Sequence, residues 1–496
     1  MQSGNVIIQS GHTLIITNNV NVTGPPATTS LVFQNDASLI QINNVANTGN
    51  IRYFRDANPM VRNDYTYWSS PVANQVLNVF SPLTNPNRYY IFDNTVYNWV
   101  SVPGASTMVP GRGYIMRAPS NYSTTVPTVF NGLFDGVPNN GDINSAVVVN
   151  GLGNRNLLGN PYPSAIHADL LADAYPTILQ GSFYFWTHNT PITNNVYTEN
   201  DYAVYNQTGG TAAAINTGIN NGIPTGYIAA GQGFFVQGLS SGTVTFNNTM
   251  RVIGNNSDFF RPGGNKIQST PSAKHRIWLN LTNASGAFKQ QLIGYIQGAT
   301  NQVDNRFDAD AVEAGNSINF YSLVNTTPLS IQGRSVPFQM TDTIPLGYRL
   351  TQPGVYQISI AQMDGLFSTG QQVYLEDTLL QLTHNLSEGP YEFTSESGTI
   401  DNRFILKFQE GTLSLGNIEA FNFQVIKFDR TIQVQSASTQ PLIEVKLFDL
   451  NGRLLAVKSN INEPTVSFDN LSFANQVILV QSKVENGTVI TRKVVF

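Results

Sequence analysis

The amino-acid sequence predicts an all-β protein, in which short β-solenoid-like strands precede tandem antiparallel β-sandwich domains, the last of them immunoglobulin-like. Charged residues make up only 11% of the chain, and the first lysine is Lys266. The first half therefore lacks the residues from which exposed helices are built. Short β-rich runs recur between Gly, Asn and Asp turns along the whole sequence. Both observations favour strands and turns over helices.

The first 50 residues contain four short strand signals, at residues 6–8, 14–16, 31–33 and 39–42. Such spacing is typical of a β-solenoid, in which each rung buries its face only against the next rung. An antiparallel meander packed on the following domain is the alternative that the sequence leaves open. Because the first strand begins abruptly, we expect this region either to continue a longer solenoid or to pair with a neighbouring subunit.

Residues 51–265 contain an internal duplication. The run PGRGYIM at residues 110–116 is echoed by AGQGFFV at residues 230–236, and a Thr-Val strand follows each run. The duplication predicts one sandwich-like or jelly-roll-like domain built from two β-units. Within it, only residues 165–174 have a helical pattern, with Ser164 in the N-cap position.

Two changes of composition predict domain boundaries. A Pro/Gly/Ser-rich stretch reads as a linker at residues 265–274, and a Gly/Ser/Leu stretch reads as a second one at residues 411–418. Between them, residues 275–410 alternate apolar and polar side chains, which predicts a β-sandwich domain. Residues 416–496 contain further strands around an Asn-Gly hairpin turn and form the predicted C-terminal immunoglobulin-like domain.

Charge and cysteine content narrow the classes of partner. The net charge is −5 without a basic stripe, which argues against nucleic acid and anionic membranes as partners. No apolar run approaches the ~18–20 residues that span a bilayer. Cysteine is absent, so disulfides and thiolate metal sites are excluded. The chain opens without a secretory signal pattern, so either the protein is cytoplasmic or these residues begin inside a longer precursor.

The sequence contains no recognisable catalytic motif. The five histidines have no metal-binding spacing, and G-x-S-x-G is absent. We therefore predict a protein that is not an enzyme and has no cofactor; a hydrolase with an unrecognised Asp site is the alternative. Asp304, Asp308 and Asp310 are the calcium candidates, because alternating carboxylates can ligate Ca²⁺ through oxygen. A solvated loop with Arg306 as its counter-charge is the other interpretation.

The tryptophans are the candidates for a carbohydrate site. Trp68, Trp99 and Trp186 could form a flat platform for sugar rings, and they lie among many tyrosines. Large aromatic side chains are also the default filling of a sandwich core. If the platform exists, we expect these rings to be partly exposed beside a groove.

The C-terminal region carries a specific pattern. A hairpin at residues 445–455 is followed by an apolar strand, a turn and a basic–apolar end. In this order it resembles the C-terminal sorting domains of type IX secretion substrates of the Bacteroidota, closest to the variety called type C. Residues 474–476 depart from the Gly-Val-Tyr-like turn usual in that family. The sorting-motif residues that the resemblance implies are Asp449, Asn451, Gly452, Arg453, Arg492 and Lys493.

Residues 51–410 resemble the module that precedes this tail in large flavobacterial surface proteins, to which no defined activity attaches. The matching stretches are residues 64–72, 158–164 and 275–281. The two resemblances imply export by the type IX machinery, an extracellular or outer-membrane-attached location, and a signal-bearing N-terminal part that is missing here. Asp-Thr-aliphatic triplets of the kind glycosylated in these bacteria make Thr343 and Thr378 candidates for O-glycosylation.

The sequence thus leads us to expect a non-enzymatic secreted or cell-surface protein with a structural or adhesive role, as a stalk, adhesin module or filament subunit. The expected partners are the type IX secretion machinery and either surface glycans or further copies of the chain. The alternative is a glycan-binding accessory region of a larger secreted enzyme. An upstream catalytic domain in the full precursor would favour that alternative.

Overall fold

The computed structural model shows an all-β protein. It describes residues 5–23, 30–188, 197, 201–213, 222–257, 274–311, 316–410, 424–428, 430–436, 441–472, 476–485 and 489–495. The chain forms two compact units, Met1–Gln409 and Glu410–Phe496. No helix within the described residues is long and apolar enough to cross a membrane. The predicted linkers at residues 265–274 and 411–418 lie outside the described residues, except for Lys274.

The first unit begins with a β-solenoid. Its strands are β1 (Val6–Ile8), β2 (Thr13–Ile16), β3 (Leu31–Phe33), β4 (Ser38–Gln41) and β5 (Ile51–Asp56). Strands β1, β3 and β5 pair in parallel, and so do β2 and β4. The first two rungs are offset by 25 residues in both columns, because Val6 lies beside Leu31 and Thr13 beside Ser38. Parallel stacking distinguishes a solenoid from a meander, so the solenoid prediction is confirmed.

Two sheets follow with the same internal order. The strands up to residue 246 are β6 (Tyr65–Trp68), β7 (Tyr89–Asp93), β8 (Asn98–Ser101), β9 (Tyr114–Arg117), β10 (Asn131–Gly136), β11 (Ile143–Val147), β12 (Arg155–Gly159), β13 (Ile166–His167), β14 (Leu179–Trp186), β15 (Tyr202–Asn206), β16 (Gly209–Thr211), β17 (Tyr227–Ile228), β18 (Gly233–Gly238) and β19 (Gly242–Phe246). One sheet has the order β6-β9-β7-β8 and the other β12-β18-β14-β15-β16. Strands β9 and β18 carry the two echoed sequence runs, and each lies second in its sheet.

The two repeats contact each other near the glycine-containing turns at residues 110–113 and 230–233. Trp68 of the first repeat bridges Gln232 of the second, and Arg112 of the first bridges Leu158 of the second. A Cβ on Gly113 would lie 2.5 Å from the Leu157 side chain, so the repeats meet too closely there for a larger residue. A Cβ on Gly233 of the second repeat would likewise lie 3.1 Å from the Tyr67 side chain of the first, so the two repeats contact each other closely at both glycines.

The helices of this region are short and differ from the prediction. Helix α1 (Leu77–Phe80) was not predicted, and α2 (Ala168–Ala174) begins three residues later than the predicted segment at 165–174. The cause is strand β13, which pairs Ile166 with Ile228 and delays the helix. The N-cap is His167, whose side chain accepts from the backbone N–H of Asp169, and Ser164 is not the cap. A 3-10 turn at Asn248–Met250 follows β19.

Residues 275–407 form one large sheet around a buried core. Its strands are β20 (His275–Asn283), β21 (Phe288–Tyr295), β22 (Ala309–Asp310), β23 (Ile318–Val324), β24 (Thr327–Arg334), β25 (Thr343–Leu350), β26 (Gly354–Met363), β27 (Tyr374–Asp377), β28 (Leu382–Asn385), β29 (Tyr391–Ser395) and β30 (Gly398–Lys407), with a 3-10 turn at Gly365–Thr369. The order is β28-β27-β30-β25-β23-β24-β21-β20-β26-β29, and β22 pairs with β24. Within these ranges one pair, β21 with β24, is parallel, which departs from the purely antiparallel prediction.

The second unit is a small two-sheet sandwich. Its strands are β31 (Gln424–Phe428), β32 (Thr431–Gln435), β33 (Leu442–Phe448), β34 (Leu454–Glu463), β35 (Thr465–Phe468), β36 (Val477–Val484) and β37 (Val489–Val495). In the part of this unit that the structure describes, the sheets have the orders β31-β32-β35 and β34-β33-β36-β37. Two antiparallel sheets, one of three strands and one of four, form the immunoglobulin-like arrangement that the sequence predicted.

Candidate functional site

One face of the duplicated sheets is lined with aromatic side chains. Alternate residues of a strand point to the same side of its sheet, so Tyr65 and Tyr67 of β6 share a side while Trp68 points to the other. The rings that pack together on the aromatic face are those of Tyr65, Tyr67, Tyr90, Phe92, Trp99, Trp186, Tyr202 and Phe235. They come from β6, β7 and β8 of the first repeat and from β14, β15 and β18 of the second.

Tyr67 lies at the centre of the aromatic face. Its ring stacks on that of Trp186, with the centroids 5.9 Å apart and the planes 10° from parallel. The Trp99 ring lies 5.7 Å away at a tilt, and the Tyr67 hydroxyl is 2.5 Å from the Tyr202 hydroxyl. Tyr67 itself is buried, while Trp99, Trp186 and Tyr202 remain half-buried. The accessible part of the face is formed by these three rings together with those of Tyr65, Tyr90 and Phe92, which are half-buried as well.

The prediction that Trp68 belongs to a platform is wrong. Its side chain is only 2% exposed and lies on the opposite side of β6 from Tyr67. There it packs against the rings of Phe80 and Phe130, at centroid distances of 4.8 and 5.7 Å. Strand alternation explains the outcome, because two adjacent residues cannot both face a ligand. Trp99 and Trp186 stay on one face, 5.9 Å or less from the shared neighbour Tyr67.

An acid–imidazole pair with largely buried side chains, 7% exposed for His188 and 13% for Asp64, lies at the edge of the aromatic face. His188 Nε2 is 3.0 Å from Asp64 Oδ1, and His188 Nδ1 accepts from the backbone N–H of Tyr65 at 3.4 Å. The imidazole ring lies 5.7 Å from that of Trp186. His188 has a backbone φ of +53°, a left-handed conformation that is rare for histidine and is held by its surroundings.

Burial shifts both groups of this pair toward their neutral forms. It raises the pKa of Asp64 to about 6 and lowers the pKa of His188 to about 4. At neutral pH the carboxyl is therefore ionised and the imidazole is uncharged, with its Nε2–H donated to Asp64. Residues 64 and 188 are far apart in sequence, and no spacing rule predicts the pair. The arrangement supplies a fixed polar group beside stacked rings, as in many small-ligand sites.

A small pocket adjoins the aromatic face at Tyr202. Its lining residues are Tyr202, Val204, Thr211, Ala212, Lys289, Gln290 and Ser330. Strands β15 and β16 of the second repeat supply one wall, and β21 and β24 supply the other. The pocket thus joins the aromatic rings to hydroxyl, amide and ammonium groups of the neighbouring sheet.

The calcium candidates have structural roles in their loop. Asp308 accepts from the backbone N–H groups of Asp304 and Gly333, at 2.6 and 2.7 Å, and burial raises its pKa to about 7. The Asp304 carboxylate accepts from the backbone N–H of Thr300 at 2.5 Å. Asp310 lies in β22. Among the described residues, no three acidic or histidine side chains are grouped as metal ligands.

The predicted sorting residues fall on one hairpin and one strand of the second unit. Asp449 Oδ1 accepts from the backbone N–H of Asn451 at 3.0 Å and of Arg453 at 2.9 Å. Gly452 has φ of +77°, the left-handed conformation expected of the Asn-Gly turn. Arg492 and Lys493 lie in β37, the last strand of its sheet, beside Val480 and Leu479. The predicted departure at residues 474–476 lies outside the described residues except for Gln476.

The two glycosylation candidates differ in their surroundings. Thr343 is exposed at the first position of β25. Thr378 is exposed as well, but its hydroxyl donates to the backbone carbonyl of Asn402 at 2.8 Å. An attached sugar would disturb that hydrogen bond at Thr378.

Comparisons with known proteins give a family without a known role. No curated protein matches the chain. The central fibronectin-III array of RIM-binding protein is similar at 10% identity and a TM-score of 0.11, over 39% of this chain and 98% of that chain. Residues 416–496 match the model of a domain of unknown function, DUF8694. Residues 1–408 match the model of another, DUF8693, and the chain therefore belongs to that family.

Proposed function

We propose that the chain is a non-enzymatic secreted or cell-surface protein with a structural or adhesive role. In this proposal the second unit is the signal read by the type IX secretion machinery, and the first unit is its cargo. The protein would act outside the cell as a stalk, adhesin module or filament subunit.

The observation that carries this proposal is the separation of the second unit from the rest of the chain. Residues from both of its sheets, among them Ile432, Val445 and Ile478, form a core of their own. A domain with its own core can be recognised and handled independently of its cargo. The hairpin turn from Asp449 to Arg453 has the residues on which the resemblance to sorting domains rests.

A reporter fusion tests the export role. Residues 410–496 would be attached behind a signal peptide and a fluorescent protein in a host that has the type IX system. We expect the reporter on the cell surface or in the medium, and we expect export to be lost when residues 489–496 are removed. Strand β37 pairs along its length with β36, so its loss removes one edge of the domain. A fusion that stays periplasmic, while a known sorting tail exports the same reporter, would disprove the assignment.

Glycan binding is the second candidate function, as expected of an adhesin or of an accessory region in a larger secreted enzyme. The aromatic face supports it, because Trp99 and Trp186 stay half-buried around Tyr67. Tyr202, whose ring lies 5.0 Å from that of Trp186, lines a small pocket together with Lys289, Gln290 and other side chains. Sugar rings pack their apolar faces on aromatic rings, while their hydroxyl groups need polar partners.

Glycan-array binding tests the second candidate. Replacing both Trp99 and Trp186 by alanine should reduce binding at least about tenfold, the effect of losing about 1.4 kcal/mol of ring contact. Tyr374→Ala is the matched control, since Tyr374 is a half-buried aromatic residue in β27 outside this face. Unchanged binding by the double variant would rule out the aromatic face as the glycan site.

A further inference from the structure

Three fully buried polar side chains of the large sheet have no hydrogen-bond partner among the described residues. Gln291 of β21, Gln332 of β24 and Ser322 of β23 are each 0% exposed. Both polar atoms of each glutamine amide, and the serine hydroxyl, are unpaired within the described part of the chain. Buried amides and hydroxyls are almost always paired in folded proteins, because an unpaired one costs a sizeable share of a domain's stability. These five atoms thus point to partners outside the polypeptide.

The two glutamines lie on the same side of the sheet. Strands β21 and β24 pair in parallel with Ile293 beside Gln332, and Gln291 precedes Ile293 by two residues. Since side chains alternate along a strand, all three of these residues share one side. Ile293 belongs to the apolar core of the large sheet, so both glutamine amides face that core.

Ser322 faces the same core from the neighbouring strand. It lies beside Leu346 of β25, which packs in that core. The three strands are consecutive in the sheet, in the order β23-β24-β21. Ser322 is also the register partner of Leu329, three residues before Gln332 in β24. From the usual spacing of strands and residues, the Cα atoms of Ser322, Gln291 and Gln332 lie within about 11 Å of one another. One small cluster of hydrogen-bonded molecules can therefore contact all three side chains.

The chemistry of these groups selects a small neutral molecule. An amide oxygen accepts, an amide nitrogen donates and a hydroxyl does both, so the molecule must both donate and accept. A charged molecule would be desolvated among apolar side chains such as those of Ile293, Phe320 and Leu346. Arg334, on the same side of β24 as Gln332, supplies no counter-charge, because it is already bonded to Asp342 at 2.6 Å. Water meets all of these requirements.

We propose that Gln291, Gln332 and Ser322 form an internal hydration site, at which ordered water joins strands β21, β24 and β23. A buried water typically makes about three hydrogen bonds to polar groups that would otherwise be unpaired. The site lies beside the parallel pairing of β21 with β24, so the water adds side-chain links to the backbone hydrogen bonds of that pair. It is independent of the export and glycan-binding roles proposed above.

A high-resolution crystal structure of the full chain tests the proposal directly. We expect water within about 2.7–3.2 Å of polar atoms from at least two of the three side chains. Glutamine amides that bond directly to each other or to Ser322, without water, would overturn the proposal. So would three side chains that are packed only against apolar groups.

Magnetic relaxation dispersion of water tests the same site in solution, because its amplitude counts long-lived internal water. The triple variant Gln291→Met, Gln332→Met and Ser322→Ala keeps similar shapes without the hydrogen-bonding groups, and its amplitude should fall by at least about one water per chain. Gln237→Met is the matched control, since Gln237 is 7% exposed and its amide oxygen already accepts from the Tyr184 hydroxyl at 2.9 Å. Its amplitude should stay unchanged. Equal amplitudes for the triple variant and the control would contradict the proposal, and the crystal structure decides the question if the triple variant does not fold.

Discussion

At the scale of single residues, adjacent side chains of one strand lie on opposite sides of its sheet and in different surroundings. Tyr67 and Trp68 are neighbours in β6, yet one is the centre of the aromatic face and the other fills the core behind it. The sequence shows that the two alternate, but it does not show which side is open. That depends on Phe80 and Phe130, which reach Trp68 from α1 and from the segment before β10.

The Asp64–His188 pair gives a prediction about pH. The folded pKa of Asp64 is raised to about 6, so the folded state holds the extra proton and loses stability as pH rises from about 4 to 6. The folded pKa of His188 is lowered to about 4, so stability rises over the same interval as the unfolded imidazole releases its proton. The two contributions oppose each other, each at about 1.4 kcal/mol per pH unit at most.

Single substitutions should therefore reveal one contribution at a time. Relative to the unsubstituted protein, His188→Gln should lose stability as pH rises from about 4 to 6, because the raised pKa of Asp64 then acts alone. Asp64→Asn should gain stability over that interval, because the lowered pKa of His188 remains. Urea unfolding at several pH values measures both slopes. If the two variants change with pH in the same direction, the assigned pKa shifts are wrong.

At the scale of elements, local patterns predicted the strands well and their partners poorly. The 25-residue offset of the first rungs follows from strand signals at residues 6–8 and 31–33, and the structure has β1 and β3 there. The parallel pairing of β21 with β24 has no local signal, because it depends on which distant strand is nearest in the folded sheet. Helix α2 begins late for the same reason, since β17 pairs with the residues just before it.

The close contact between the two repeats at Gly113 gives a prediction about the stability of a variant at that position. In Gly113→Ala the new methyl group would lie 2.5 Å from Leu157 Cγ and 2.7 Å from the Leu158 carbonyl. Such overpacking costs about 1–3 kcal/mol, and we expect that loss in the free energy of unfolding. Gly151→Ala is the control, because its Cβ would have no atom within 4 Å and should change stability by less than about 0.5 kcal/mol. Equal stability of the two variants would mean that the repeats do not meet closely at Gly113.

At the scale of the whole molecule, the chain divides into two units that coincide with two family models. The first compact unit ends at Gln409 and the second begins at Glu410. The family models cover residues 1–408 and 416–496. From the sequence, the change of composition at residues 411–418 predicts a linker, because linkers are rich in small polar residues. The first unit joins the solenoid, the duplicated sheets and the large sheet, which the sequence assigned to separate domains.

Separate cores predict separate unfolding. The apolar residues that fill the second unit, such as Val445 and Ile478, pack with each other, and the first unit has its own clusters. Calorimetry of the full chain should therefore show two transitions, of which the one that disappears on removal of residues 410–496 belongs to the second unit. Residues 410–496 alone should melt within a few degrees of that transition, because no part of their core is left behind. The remaining transition should keep its temperature in the shortened chain. A single transition that shifts when residues 410–496 are removed would show instead that the two units stabilise each other.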